Sequence, residues 1–414
     1  MIIARCVKGA GIRPAARACL NIEERVMRIL ITTDAYVPMI NGVVISVMNL
    51  KEQLAKRGHE VKIIALSDTG RARKEGDVYY LPSIPFPIYP DARVTFSFYG
   101  KYVKELIDWK PDLVHSQSEF TSLCAAKRIA KKLNIPVIHT YHTMYEDYTH
   151  YFVKSKRVGK KMVSWLTCML LGKVDVVVTP TRKVSEALKG YGLNRPMVSI
   201  PTGIDLSRFT ASLESAERDG LRAGLGFGKE DKVLVFVGRV GKEKNIDFVV
   251  SQLKGLMESD RTLRMAVVGD GPHKKELEEL VNNLGLAGQV VFTGAVKPEH
   301  VHRYYKAADV FVNASESETQ GLTYIEALAS GIPAVCKMDE CLKGVIEDGH
   351  NGYLFEDGHE LAECVKRIFA DRAAYDRLSD NAQKSVLRFS KEEFGRRMEK
   401  LYQFVLMKKN MAVR

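Results

Sequence analysis

Met27-Arg-Ile-Leu-Ile-Thr-Thr33 is an apolar run; a Pro- and Gly-bearing loop leads to Gly42, VVISVMNLKEQLAKRG (43–58) has helical spacing, and VKIIAL (61–66) is apolar again. Two short apolar runs joined by a helix-length stretch read as a βαβ unit, whose strands lie parallel. Further strand candidates at 112–115, 136–140 and 174–179 are separated by helix-length stretches, so the first half reads as a parallel sheet wrapped by helices.

The alternation restarts after residue 230. KVLVFVG (232–238), RMAVVG (264–269), QVVFTG (289–294), DVFVNA (309–314) and PAVC (333–336) are short β-rich runs, spaced by amphipathic segments such as 272–284. This predicts a second doubly wound sheet. A chain of 414 residues exceeds what one core serves, which also argues for two domains. Between the halves lies Ser199-Ile-Pro-Thr-Gly-Ile-Asp205, followed by the charged stretch 213–231, a candidate hinge. The expected division is an N-terminal extension at 1–26, Rossmann-like domains at 27–200 and 201–390, and a closing helix within 391–414 that returns to the first domain. Ligands of two facing open sheets belong in the cleft outside their carboxyl ends.

Hydrophobic residues at 46% and charged residues at 27% exclude a mainly disordered chain. A net charge of +12 favours an anionic partner: nucleic acid, a phosphorylated ligand or an acidic bilayer. Seven scattered cysteines without a CxxC pair suggest neither a disulfide framework nor a zinc site, and a reducing cytosol fits best. No apolar window is long enough to span a bilayer. Residues 1–26 are Arg-rich and lack the apolar core of a secretory signal.

Glu318-Thr-Gln-Gly-Leu-Thr-Tyr-Ile-Glu326 places two carboxylates about a helix expected to open near Gly321. Free N–H groups at such a helix start suit a phosphate, and the later carboxylate can take sugar hydroxyls. Gly238-Arg239-Val-Gly-Lys242-Glu243-Lys244-Asn245 sits where a strand ends, and Arg and Lys there can neutralise a diphosphate. Taken singly, each is as readily a solvated surface stretch. Pro38-Met-Ile-Asn-Gly42 precedes the first helix and lets backbone reach a phosphate, although it is not GxGxxG and supports no dinucleotide site. The histidines of His139-Thr-Tyr-His142-Thr-Met-Tyr-Glu146-Asp147-Tyr-Thr-His150 match no common zinc spacing, so a polar cleft wall is expected and no metal.

Lys154-Ser-Lys156-Arg157-Val-Gly-Lys160-Lys161 runs into Met162-Val-Ser-Trp165-Leu-Thr-Cys-Met169. On a helical wheel Val158, Met162, Trp165, Leu166 and Met169 share one face and Arg157, Lys160, Lys161 and Ser164 the other. That pattern fits an interfacial helix on anionic lipid, with Lys154, Lys156, Arg157, Lys160, Lys161 and Trp165 as candidate contacts. It also fits a helix packed on its own sheet. No nucleic-acid motif accompanies the charge.

In this order the motifs resemble glycosyltransferase family 4, from about Met27 to about residue 400: the spaced glutamates, Gly238-Arg239 with Glu243-Lys244, Pro201-Thr-Gly-Ile-Asp205, and Pro38 to Gly42. Within it, Thr140-Tyr-His-Thr-Met-Tyr-Glu-Asp-Tyr-Thr-His150 followed by a basic amphipathic helix resembles the bacterial 1,2-diacylglycerol 3-glucosyltransferases. Gln320 departs from the aromatic residue of many members. The resemblance implies a GT-B fold and retaining hexose transfer from UDP-glucose to diacylglycerol, by front-face attack in which the leaving diphosphate helps deprotonate the acceptor. Arg239 and Lys244, with Gly42 and the Gly321-Leu322 helix start, would hold the diphosphate without a divalent cation. Glu326 would take the ribose, the segment around Val296 the base, and Glu318 with His142 the sugar. The expected setting is cytoplasmic, peripheral on the inner face of the cell membrane. A soluble or already glycosylated acceptor, or a noncatalytic membrane-binding protein on the same scaffold, stay open as alternatives.

Overall fold

The computed structural model describes residues 25–39, 41–86, 89–145 and 155–413. The readings made above on Lys154, on Glu146, Asp147 and His150, and on residues 1–24 fall outside these, as does the side chain of Lys156.

In chain order the first half runs β1 (Arg28–Thr32), α1 (Gly42–Lys56), β2 (Glu60–Leu66), β3 (Arg73–Glu75), β4 (Val78–Leu81), β5 (Ile84–Phe86), β6 (Tyr89–Val94), α2 (Lys101–Trp109), β7 (Leu113–Ser116), α3 (Thr121–Leu133), β8 (Val137–Thr140), α4 (Lys156–Leu171), β9 (Val176–Thr179), α5 (Arg182–Gly190) and β10 (Met197–Ser199). Two helices follow, α6 (Ser207–Thr210) and α7 (Ser215–Gly224). The second half is β11 (Lys232–Val237), α8 (Ile246–Ser259), β12 (Leu263–Val268), α9 (Lys274–Asn283), β13 (Val290–Gly294), α10 (Pro298–Ala307), β14 (Val310–Asn313), α11 (Leu322–Ala329), β15 (Ala334–Lys337), β16 (Gly352–Phe355), α12 (Gly358–Ala370), α13 (Arg372–Ser385) and α14 (Lys391–Val413).

The first sheet has the order β10-β9-β8-β7-β1-β2-β4-β3 and the second β13-β12-β11-β14-β15-β16; within these two every pairing is parallel except β3 with β4, and β5 and β6 form a separate antiparallel pair. This is the two-domain α/β GT-B architecture. Each sheet is buried on both faces, which is why its strands read as nearly unbroken Val, Ile and Leu runs. Strands β3 to β6, β10 and β16 are not among the strands read above from the sequence.

In both sheets the chain order reverses at one place, between β7 and β1 in the first and between β11 and β14 in the second. Loops at the carboxyl ends of strands flanking such a reversal diverge and leave a crevice.

The charged stretch 213–231, read above as part of a hinge, is instead packed on the second sheet. Arg222 of α7 is 1% exposed. Its guanidinium donates to the carbonyls of Ala307, Lys229 and Asp231 and to both carboxylate oxygens of Asp309. All five N–H groups are used, which makes burial of this charge tolerable.

The chain crosses between the domains at 199–205 and again at 389–391, and the two crossings are bonded to each other. The Ile204 N–H donates to the Phe389 carbonyl and the Lys391 N–H to the Ile204 carbonyl. A Cβ on Gly203 would lie 2.5 Å from Phe394 Cβ and 2.7 Å from the Ser390 carbonyl oxygen, so only glycine permits this approach. Beyond the crossing, Phe394, Met398, Leu401, Tyr402 and Val405 of α14 join one apolar cluster with Ile29, Val47 and Leu50 of the first domain. Lys391 Nζ adds ion pairs to Glu52 at 3.0 Å and Asp205 at 2.8 Å.

Candidate active site

At the reversal of the second sheet, the loops after β11 and β14 meet. Lys244 Nζ lies 2.6 Å from Glu318 Oε1, with both side chains 16% exposed, and Asn245 Nδ2 donates to the Ala314 carbonyl. The two stretches that looked like independent signals are therefore in contact. Arg239 pairs with Glu243 at the rim.

Gly321 precedes α11 with φ of +70°, and a Cβ there would come within 2.5 Å of the Tyr324 ring. Glycine is needed to start the helix at this point, and no side chain caps its first N–H groups. Glu326, further along α11, accepts from Tyr305 Oη at 2.9 Å. Burial pushes its carboxyl up to about 7, and the tyrosine bond only partly counters this. Val296, after β13, packs partly buried against the core.

A second helix start faces the first. Leu322 Cδ1 lies 3.6 Å from the place a Cβ on Gly42 would occupy, so the N-termini of α1 and α11 meet across the cleft. Asn41 caps α1 by accepting from the Val44 N–H at 3.0 Å. The carboxyl edges of both sheets thus open onto one cleft with two helix dipoles aimed into it.

On the first-domain side, Asp34 follows β1, Gln117 and Glu119 follow β7, and His142 and Tyr145 follow β8. His142 Nε2 is 2.7 Å from Gln117 Oε1. Glu119 accepts from Tyr145 Oη at 2.7 Å and lies 3.3 Å from His139 Nε2. Asp34 Oδ1 accepts from the Ser122 N–H at 2.9 Å, while Oδ2 is buried without a partner. Burial, then the charge of Glu119, holds the Asp34 carboxyl up at about 6, against the Ser122 bonds that lower it. Burial likewise pushes His142 down to about 4, so its ring is neutral at ordinary pH. Gln117, Glu119 and Asp34 were missed as candidates. Their only sequence signal is a position just past a strand, and which strands flank the reversal is a property of topology.

The domains are joined beside the cleft. Thr181 Oγ1 donates to the Thr319 carbonyl, and Lys183 Nζ to Asp339 at 2.7 Å and to the Glu316 carbonyl at 3.0 Å. Gln320 is buried and binds the backbone of Thr202.

Helix α4 stands apart from these residues. Its Val163 and Leu171 are buried in the first core, whereas Val158, Met162 and Met169 are exposed and Trp165 is 66% exposed. The exposed apolar stripe runs beside the exposed Arg157, Lys160 and Lys161, and Leu166 is half-buried between the two faces. Packing on the sheet is thus done by a different face from the one that the wheel singled out. Among the described residues no helix is long and apolar enough to cross a membrane, and no group of three His, Cys, Asp or Glu side chains is placed to hold a metal.

Residues 40–208 match the model of Glycosyltransferase Family 4, and residues 217–385 that of Glycosyl transferases group 1. The chain is 35% identical over 386 residues to the alpha-monoglucosyldiacylglycerol synthase of Streptococcus pneumoniae, covering 93% of this chain and 87% of that one. The chain belongs to glycosyltransferase family 4. A second relative of this glycosyltransferase, the alpha-monoglucosyldiacylglycerol synthase of Acholeplasma laidlawii, is 34% identical, covering 93% of this chain and 98% of that one. The crystal structure of Anabaena HepE in complex with UDP superposes on the glycosyltransferase with a TM-score of 0.72 at 17% identity, covering 91% of this chain and 99% of that one, which agrees with the GT-B fold.

Proposed function

We propose that this glycosyltransferase moves glucose from UDP-glucose to the free hydroxyl of 1,2-diacylglycerol, with retention, at the surface of an anionic membrane. The observation that carries the donor half is the meeting of two helix starts, at Gly42 and Leu322, with Lys244 held against Glu318 in the loop that leads into the second and Arg239 on the same loop as Lys244. Helix N-termini and cationic side chains are the groups that hold a diphosphate. As the glycosidic C–O bond breaks, negative charge grows on that diphosphate, and preorganised donors stabilise it more in the transition state than before. These groups supply the positive charge, so no step is routed through a divalent cation. In this reading Glu326 takes the ribose hydroxyls and the segment around Val296 the base. Glu318 and His142 meet the sugar, and the leaving phosphate receives the acceptor proton.

The acceptor half is supported by the names of the two relatives and by α4. An exposed Trp and Met stripe flanked by Arg and Lys suits the headgroup region of an anionic bilayer, where Arg157, Lys160, Lys161 and Trp165 make contact, joined by Lys154 and Lys156. The enzyme is then peripheral, on the cytoplasmic face. Incubation with labelled UDP-glucose and diacylglycerol in anionic vesicles tests the reading: label is expected in the lipid fraction, released by alkali as α-glucosylglycerol. UDP release with unlabelled lipid would rule out this acceptor.

A further inference from the structure

We propose that Gln117 is a positioning residue: it fixes His142 in one tautomer, with Nε2 donating and Nδ1 presented as an acceptor to a hydroxyl of the hexose in transfer, through a buried relay anchored at Tyr402. The proposal rests on the sugar-site reading given above for His142.

The relay joins α14, β7 and β8 with the loops that follow the two strands. Tyr402 Oη of α14 is 2.6 Å from His115 Nδ1, and Thr140 Oγ1 of β8 is 2.7 Å from His115 Nε2. Gln117 Nε2 lies 3.2 Å from both ring nitrogens of His115, and Gln117 Oε1 is 2.7 Å from His142 Nε2. Tyr402, His115 and Gln117 are buried, so these bonds do not exchange with solvent.

An amide has one acceptor and one donor end, so its orientation decides the polarity of each neighbour. His115 is neutral, because burial and then the nearby His139 and His142 push it far down. Its one lone pair is taken up in the ring plane between Tyr402 and Thr140, and Gln117 Nε2, 3.2 Å from both ring nitrogens, sits over the ring face; that electron-rich face attracts an N–H and repels an amide oxygen, which turns Gln117 Oε1 toward His142. Oε1 only accepts, so the His142 proton sits on Nε2 and the lone pair on Nδ1. The reversed amide would put the proton on Nδ1 and invert the polarity offered to the sugar.

The charge on His142 matters as well as the tautomer. The groups facing it are His115 on β7, Glu119 after β7 and His139 on β8, with Asp34 and Tyr145 flanking Glu119. Burial outweighs the pull of Glu119, whose carboxylate is also shared with Tyr145 and His139. A neutral ring is what glycosyl transfer needs here, because the sugar carbon gains positive charge in the transition state and an imidazolium would oppose it.

Gln117→Glu keeps the shape and the accepting end but adds a charge that favours imidazolium. Its kcat at saturating donor is expected to fall about tenfold or more near pH 6 and to recover toward pH 9, where the wild type shows no such limb. Gln117→Leu is expected to lower kcat by about tenfold or more with little change in donor KM. A wild-type pH profile in the first variant, or wild-type kcat in the second, overturns the proposal. Nitrogen-15 NMR of the wild-type histidines, with His142 assigned from the signal lost in His142→Asn, reads the tautomer without substrate. The Nε2–H form is expected and the Nδ1–H form overturns the proposal. The Nε2–H form in a protein that transfers no glucose would sink only the functional reading.

Discussion

The side-chain amide of Gln320 binds both backbone groups of Thr202: Oε1 accepts from its N–H at 2.8 Å and Nε2 donates to its carbonyl at 2.9 Å. Both residues are buried. The loop that carries Glu318 is thereby clasped to the segment that crosses between the domains. Gln320→Ala leaves two buried backbone groups unpaired and is expected to cost about 2 kcal/mol or more. Urea unfolding, followed with donor KM, checks this; an unchanged midpoint would show the clasp adds nothing to stability.

Lys244→Ala removes a cation from the proposed diphosphate site and the ion pair between the loops after β11 and β14, leaving them joined by Asn245 and Ala314. Transfer is expected to drop by about two to three orders of magnitude, the size seen when one preorganised donor to a developing anion is lost. Lys244→Arg should restore part of it. Turnover measured beside far-UV circular dichroism distinguishes lost chemistry from lost fold, and full activity in the alanine variant would exclude Lys244 from the site.

Glu326 supplies a pH dependence whose sign can be worked out. Its folded carboxyl is raised from an ordinary 4.5 to about 7. The folded state therefore holds the proton longer, and this group's stabilising contribution is lost as pH rises from about 4.5 through 7. UDP affinity should move oppositely, tightening from pH 6 to 8 as the carboxylate forms and can accept ribose hydroxyls. Urea unfolding between pH 4.5 and 8 tests the first half, and calorimetric titration of UDP across pH 6 to 8, with Glu326→Gln expected to be flat in both, tests the second.

Replacing Arg157, Lys160 and Lys161 by Gln should weaken binding to anionic vesicles by about 1 kcal/mol per charge and reduce its salt sensitivity. Trp165→Ala should weaken binding at low and high salt alike, because its contribution is apolar. Vesicle sedimentation at two ionic strengths separates these terms; wild-type binding in both variants would leave the exposed stripe of α4 without a membrane role.

The α/β alternation was legible because parallel strands covered on both faces must be apolar throughout, as in Ile29 to Ile31 and Val233 to Val237. Helix α4 shows the limit of pattern reading. It is apolar on more than one side, and the wheel selected Val158, Met162, Trp165, Leu166 and Met169, of which all but the half-buried Leu166 are exposed, whereas the core took Val163 and Leu171. Periodicity finds apolar faces but does not say which one has a partner. The stretch 213–231 misled for a related reason: its charges suggested solvent, yet Arg222 is buried because Asp309, far along the chain, meets it.

By itself the sequence determined the two α/β halves, the glycine-marked loops, and the residue types able to hold a diphosphate, since these follow from local period and side-chain chemistry. Only the tertiary structure decided that Lys244 touches Glu318, that the helix starts at Gly42 and Leu322 face each other, and that Tyr402 reaches through His115 and Gln117 to His142. Apart from His115 with Gln117, those contacts join residues tens to hundreds of positions apart. They depend on the strand order of the two sheets, which no local pattern encodes, and on where α14, expected from the sequence to return, docks on the first domain.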